Sequence, residues 1–147
     1  MTAKSFLTVI LILTLLGGCA SAVKKRPDFY NVEIEEFSSS IKLLLTDLNF
    51  LKQEILKVNA KRPSIQRILS EADSLWSRGK LDRANAELER GLRLAKDESA
   101  LYLRLSHLRL EQGFREESKA LASRGLLNKG ASSWEILLLN IYSKEEI

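Results

Sequence analysis

An internal repeat with an offset of 34 residues is the feature that most constrains how this 147-residue chain can fold. When residues 79–92 are aligned with residues 113–126, five of fourteen positions are identical, whereas average composition would give about one. Proteins with repeats of this length stack similar supersecondary units, because one unit alone cannot bury its apolar face. The identical pairs are Gly79/Gly113, Ala86/Ala120, Arg90/Arg124, Gly91/Gly125 and Leu92/Leu126.

Composition and apolar spacing predict that these units are helical. Leu, Ala, Glu, Lys and Arg dominate the chain after its first residues, which is typical of helical proteins. The stretch 100–113 opens with alternating leucines, as a strand would, but its apolar residues then fall on two faces of a helix. These are Leu101, Leu105 and Leu108 on one face and Leu103 and Leu110 on the other. The predicted fold class is all-α, with helical hairpin repeats preceded by one long helix.

The period and the residue types around it resemble the tetratricopeptide family. Residues 79–84 resemble its turn between two helices, with the small Ala84 three places beyond the apolar Leu81. Further matching core positions are Leu88, Tyr102, Leu105, Ser106, Trp134, Leu137 and Ile141. The departures are Arg109 at a position that is usually aromatic, Ser118, Gly91 and Gly125 at positions of small alanines, and the lack of a closing proline. The resemblance implies a tetratricopeptide-like solenoid over residues 64–147.

Two local features of the repeats make predictions of their own. Gly91 and Gly125 each cost about 1 kcal/mol relative to alanine within a helix, so their repetition predicts a close approach of neighbouring helices. Ser132 and Glu135 have the spacing of a capping box, which predicts the start of the last helix. Two hairpins and one terminal helix are fewer than the three repeats that an independent solenoid needs, so another element must cover an open face.

A heptad pattern predicts that this element is a long helix over residues 32–61. Its apolar positions alternate steps of three and four, as in a coiled coil. They are Ile34, Phe37, Ile41, Leu44, Leu48, Leu51, Ile55 and Val58. Two interpretations stay open: a parallel homodimer through residues 34–58, or packing of the helix on its own domain, which extra apolar residues beside the seam favour. Pro63 ends the helix.

The first residues predict export and attachment to a membrane. Lys4 and the apolar run that follows have the layout of a signal peptide over residues 1–18, and the run is too short to span a bilayer. Leu16-Gly17-Gly18-Cys19 resembles the bacterial lipobox, which implies that Cys19 is acylated and that residues 19–31 form a short tether. Several acyl chains hold a protein on a membrane durably. Ala20 after the cysteine implies an outer-membrane lipoprotein that faces the periplasm.

The family resemblance also implies a concave groove lined by the first helix of each pair. The positions that match are Leu69, Asp73, Trp76, Leu103, His107, Leu110, Leu139 and Tyr142. Such a surface suits a helix or an extended peptide of an envelope protein. The alternative is that the chain's own N-terminal helix fills the groove.

Residue types argue against an enzyme. His107 is the only histidine, and no thiol remains beyond the predicted lipidation site, so we expect no catalytic residues, no metal site and no cofactor. Without residues 1–18 the net charge is +3, and basic residues alternate with acidic ones, so we expect no nucleic-acid binding.

These features predict a lipid-anchored adaptor. We expect a non-enzymatic outer-membrane lipoprotein whose repeats bind or activate an envelope protein, with a peptidoglycan synthase or hydrolase as candidate partners by analogy. The alternatives are a lipid-anchored coiled-coil homodimer with a structural role and a pilotin-like assembly factor.

Overall fold

A computed structural model describes the backbone of residues 29–144 and the side chains from Glu36 onward. The predicted signal peptide, Cys19 and most of the predicted tether lie outside the described residues. The chain divides into two units between Glu36 and Phe37, and packing is described for the second unit.

The described residues form helices and no strands, which confirms the all-α fold class. The helices are α1 (Phe29–Thr46), α2 (Leu48–Leu56), α3 (Pro63–Ser77), α4 (Leu81–Leu94), α5 (Ser99–Glu111), α6 (Arg115–Gly125) and α7 (Ser133–Ser143).

The predicted single helix over residues 32–61 is wrong, because the structure divides it at Asp47. Asp47 has extended backbone angles, and its side chain accepts hydrogen bonds from the amides of Asn49 and Phe50, which makes it the N-cap of α2. An aspartate side chain offers the backbone a partner that competes with a continuous helix. The first helix also begins earlier than predicted, at Phe29, and α2 ends at Leu56.

Helices α3 and α4 form one hairpin, and α5 and α6 form a second. Their turns are equivalent at an offset of 34 residues: Gly79 has φ of 70° and Gly113 has φ of 85°, a region that side chains other than glycine rarely adopt. The amide of each glycine bonds to the carbonyl three residues earlier, at 2.9 and 3.0 Å. The two aligned sequence segments therefore begin at the same local structure.

Helix α5 lies at the centre of the second unit. Every residue from Ser99 to Leu108 is buried, which confirms a helix covered on more than one side. It packs against α2, α4, α6 and α7. One core cluster joins α3, α4 and α5, and another joins α1 and α2 to α5, α6 and α7.

The heptad seam is used within the chain. Leu44, Leu51 and Ile55 are fully buried in the second core cluster, whereas Phe37 and Leu48 are 63% and 42% exposed. Of the two interpretations of the seam, packing of the segment on its own domain is the one that these burials favour.

The close approaches predicted at the repeated glycines are present. A β-carbon at position 91 would lie 2.7 Å from Leu101 Cδ2, and one at position 125 would lie 2.8 Å from Tyr102 Cβ. The capping box is present too, since the Ser132 side chain accepts from the Glu135 amide while the Glu135 carboxylate accepts from the Ser132 amide. Both local predictions are confirmed.

We expect Gly125→Ala to lower the free energy of unfolding by about 1–3 kcal/mol, because the clash falls on the β-carbon of Tyr102, which moves only with its helix. Gly91→Ala should cost less, since its nearest neighbour is the end of a leucine side chain. Urea unfolding followed by far-UV circular dichroism measures both. Gly130→Ala, which meets only the end of Lys61, is the control. Equal stability of the Gly125→Ala variant and the natural chain would contradict the close approach.

Candidate functional site

The structure places the predicted groove residues in the interior. Six of them are buried, at 0 to 5% exposure, and Asp73 and Leu110 are half-buried. The buried six are Leu69, Trp76, Leu103, His107, Leu139 and Tyr142. The prediction of an open groove at these residues is therefore wrong.

Helix α2 covers this face. Its Leu51 and Ile55 belong to the same core cluster as Leu103, Leu139 and Tyr142. The physical reason is apolar burial, because α5 carries leucines on two faces. The seam residues of α2 cover one of these faces, and burial stabilises the fold by about 25 cal/mol for each Å² of apolar surface removed from water. The alternative in which the chain's own N-terminal segment fills the groove is the one found in the structure.

Five side chains form a polar network beneath α2, which we call the buried polar network: Lys52, Trp76, His107, Glu111 and Tyr142. His107 Nδ1 lies 2.7 Å from the Tyr142 hydroxyl, and His107 Nε2 lies 3.4 Å from Glu111 Oε1. Glu111 accepts from Lys52 Nζ at 2.9 Å and from Trp76 Nε1 at 2.6 Å. Lys52 Nζ also lies 4.1 Å from the centre of the Trp76 ring. The network thus joins α2, α3, α5 and α7.

The electrostatics of the network favour a neutral histidine. Burial lowers the pKa of His107 to about 4, although the Glu111 charge opposes this shift. Burial raises the pKa of Glu111, but hydrogen bonds from Lys52 and Trp76 outweigh burial, and the net pKa is lowered. Burial also raises the pKa of Tyr142 well above its usual value. A neutral His107 can donate from Nε2 to Glu111 and accept from Tyr142 at Nδ1.

The centre of the network is buried. His107 is 1% exposed, and Tyr142 is 5% exposed and also lines a cavity of about 220 Å³. Glu111, with a side chain 28% exposed, lies at its edge. Fully satisfied buried networks of this kind fix one arrangement of the core. The network therefore positions α2, α3, α5 and α7 relative to one another.

Arg104 forms a second polar contact under the same cover. Its guanidinium donates to both carboxylate oxygens of Asp73, at 2.8 and 3.0 Å. It also donates to the carbonyls of Leu56 and Val58, at 3.2 and 3.0 Å. These carbonyls belong to the last residue of α2 and to the turn after it, so one side chain that is 1% exposed joins α2, α3 and α5.

An open cleft lies on the other side of α5, and we call it the outer cleft. It has a volume of about 430 Å³ and lies between α4 and α6, with α5 as its base. Leu105 and Arg109 reach it from α5, at positions roughly opposite Leu103 and His107 on a helix that turns about 100° per residue. Other lining residues are Glu89, Leu92, Arg93, Glu117, Ala120, Leu121 and Arg124. This cleft, unlike the predicted groove, is accessible to a partner.

The described residues contain no cluster of three or more potential metal ligands. Among the same residues, none of the helices combines the length and the apolar character that crossing a bilayer requires.

The sequence reasoning missed Arg104, Glu111 and Lys52, and it missed the outer cleft. Arg104 carried a usable signal, because it stands between Leu103 and Leu105 in a helix expected to be apolar on two sides. A charge in such a place must be paired when buried. Nothing in the sequence identified its partners, which lie 31 to 48 residues away.

We expect Arg104→Lys to lower the free energy of unfolding by about 2–4 kcal/mol. A lysine ammonium cannot reproduce the planar fork that binds two carboxylate oxygens and two carbonyls together. Urea unfolding measures the change, and Arg67→Lys on the exposed side of α3 is the matched control, expected within about 0.5 kcal/mol of the natural chain. Equal stabilities of the two variants would contradict the role assigned to Arg104.

Stability should depend on pH through His107. Because the folded chain holds the pKa of His107 near 4 and the usual pKa of a histidine is 6.5, the unfolded chain binds more protons between these values. The free energy of unfolding is then largest above pH 6.5 and falls by about 2 kcal/mol as the pH drops to about 5, above the range where carboxylates titrate. Urea midpoints across this window measure the slope. The His107→Gln variant should lose it, and an unchanged slope would contradict the assignment.

A comparison of the chain with protein-family models, with curated proteins and with solved structures finds no match.

Proposed function

We propose that this chain is a non-enzymatic adaptor, tethered to the outer membrane through acyl chains on Cys19, that binds another protein of the cell envelope. The observation that carries the proposal is the contrast between the two sides of α5. His107 lies buried under α2, whereas the outer cleft is open, has leucines in its lining and carries charged walls. A surface of this kind is suited to holding a partner.

We further propose that the helical hairpins are tetratricopeptide-like. The 34-residue offset relates the two glycine turns, and it relates two close approaches, at Gly91 and Gly125. Within the described residues, the third unit consists of α7, which begins at the capping box. In this interpretation α2 covers the face that would otherwise form the groove, and the partner binds at the outer cleft instead.

The tether supports a place close to the membrane. Helix α1 begins at Phe29, ten residues after Cys19. At about 3.4 Å per residue this link reaches at most about 35 Å, so α1 would begin within that distance of the bilayer surface. The resemblance to lipidated tetratricopeptide proteins makes a peptidoglycan synthase or hydrolase the class of partner that we prefer, by analogy.

The homodimer alternative has one observation in its favour, which is the exposure of Phe37 and Leu48 on the heptad seam. The seam leucines that a parallel dimer would need most, Leu44 and Leu51, are already buried within the chain. We therefore rank the adaptor first.

Acylation is tested with Cys19→Ala. We expect the natural chain to incorporate radiolabelled palmitate and to sediment with outer membranes, and the variant to lose both properties because no other cysteine is present to carry a diacylglycerol. Equal palmitate incorporation by the two chains, or recovery of the natural chain in the cytosol, would contradict the tethered role.

Partner binding is tested by photocrosslinking in intact cells. A photoreactive amino acid at the exposed cleft residue Ala120 should crosslink to an envelope protein, and the product should disappear in the Cys19→Ala background. The same probe at Arg67, on the exposed side of α3, is the control position. A product with twice the mass of the chain would instead support the homodimer.

A further inference from the structure

The arginines of the outer cleft point to the chemistry of its ligand. We propose that this cleft binds an acidic peptide segment of the partner, with an apolar side chain placed against Leu92, Leu105 and Leu121 and with carboxylates bound by Arg93 and Arg124. This inference deepens the proposed adaptor function and rests on it.

The base and size of the cleft suit a peptide side chain. Its volume of about 430 Å³ falls within the range of about 300–1,000 Å³ that is usual for ligand sites. Leu92 and Leu121 are only partly buried, so each still gains from being covered. An apolar group placed there removes further apolar surface from water.

Arg109, at the base of the cleft, is held in place by its neighbours. Its Nε lies 3.1 Å from Glu117 Oε2, and its Nη2 donates to Glu89 Oε1 at 3.3 Å. Its Nη1 donates to Gln112 at 3.2 Å, and its guanidinium lies 5.6 Å from the centre of the Phe114 ring. Both acidic residues that line the cleft are therefore already engaged, and their charges do not repel an acidic ligand strongly.

The internal repeat shows what is different about Arg124. Its equivalent, Arg90, donates to Glu87 at 3.0 and 2.6 Å. At the offset of 34 residues, the counterpart of Glu87 is Leu121, which lines the cleft instead. Residues 120, 127 and 128, the other positions one helical turn from Arg124, carry no acid either. Among the described residues, Arg124 forms no ion pair, and its side chain is available.

Arg93 is available for a related reason. The acidic residues one turn away from it are Glu89, which binds Arg109, and Asp97, which accepts from Arg62 at 2.7 and 2.6 Å. Within the part of the chain that the structure describes, Arg93 forms no ion pair with a carboxylate. The lining of the cleft thus carries three arginines against two glutamates.

The arrangement favours a peptide over a simple anion. A guanidinium fork matches a carboxylate, and Arg93 and Arg124 extend from separate helices with leucines between α4 and α6. A ligand that uses all of these groups needs an apolar group and at least two acidic groups along one chain. Alternating glutamate and leucine in an extended peptide meets that requirement.

Binding is tested by fluorescence polarisation with the full chain in detergent. The probe is a fluorescein-labelled nine-residue peptide of alternating glutamate and leucine, and the comparison peptide has glutamine in place of each glutamate. We expect the natural chain to bind the probe at least tenfold more tightly than the comparison peptide. The double variant Arg93→Gln with Arg124→Gln should weaken probe binding at least tenfold, and Ala120→Trp, which fills the cleft without changing its charge, should also abolish it.

A second double variant, Arg67→Gln with Arg83→Gln, removes the same net charge from exposed sites outside the cleft and should leave binding within twofold. Equal losses in the two double variants would overturn the proposal, because the attraction would then be non-specific. Flotation with phosphatidylglycerol vesicles that depends on Arg93 and Arg124, without peptide binding, would overturn it in favour of a lipid site.

If the probe fails to bind while the Ala120 crosslink in cells persists, the proposal of an acidic ligand is wrong and the proposed adaptor function stands. If the crosslink is absent as well, the adaptor itself fails.

Discussion

The arrangement of this molecule depends on Arg104, a charged side chain inside a helix that is otherwise buried. Its guanidinium binds Asp73 of α3 and the carbonyls of Leu56 and Val58 at the end of α2. An isolated buried charge would be very costly, so these partners are required as well as favourable. Because the carbonyls lie at the point where the chain leaves α2, the same contact holds the end of α2 against α3 and α5. With the apolar packing of Leu51 and Ile55 it keeps α2 on the inner side of α5, and the outer side stays open at the cleft.

Much of the fold could be predicted from local and periodic signals. The 34-residue repeat indicates the helical hairpins, the repeated Gly91 and Gly125 indicate close packing, and Ser132 with Glu135 marks the start of α7. The break at Asp47 could not be predicted from the heptad pattern, since the apolar steps of three and four continue through it without interruption. A capping aspartate outweighs that pattern locally because it satisfies two amides at once.

The candidate site was harder to predict than the fold. Periodicity shows that one face of α5 must be buried, but it does not say whether the chain itself or another molecule buries it. Three of the residues assigned to a groove do lie close together. The ring centre of His107 lies 5.5 Å from that of Trp76 and 6.0 Å from that of Tyr142. Their aromatic and polar character serves the buried polar network. The outer cleft could not be predicted from the similarity of the two repeats, because it depends on a difference between them. The first repeat has Glu87 where the second has Leu121, which lines the cleft.

The position of the only histidine has a practical consequence. His107 lies where α2 meets the repeats, between the Tyr142 hydroxyl and the edge carboxylate of Glu111. In a proton NMR spectrum its imidazole would give one set of ring signals with no other histidine to overlap them. Those signals sense a tryptophan ring and a tyrosine ring directly, so any opening of α2 would shift them. The chain therefore carries a built-in spectroscopic reporter of whether its inner face is closed.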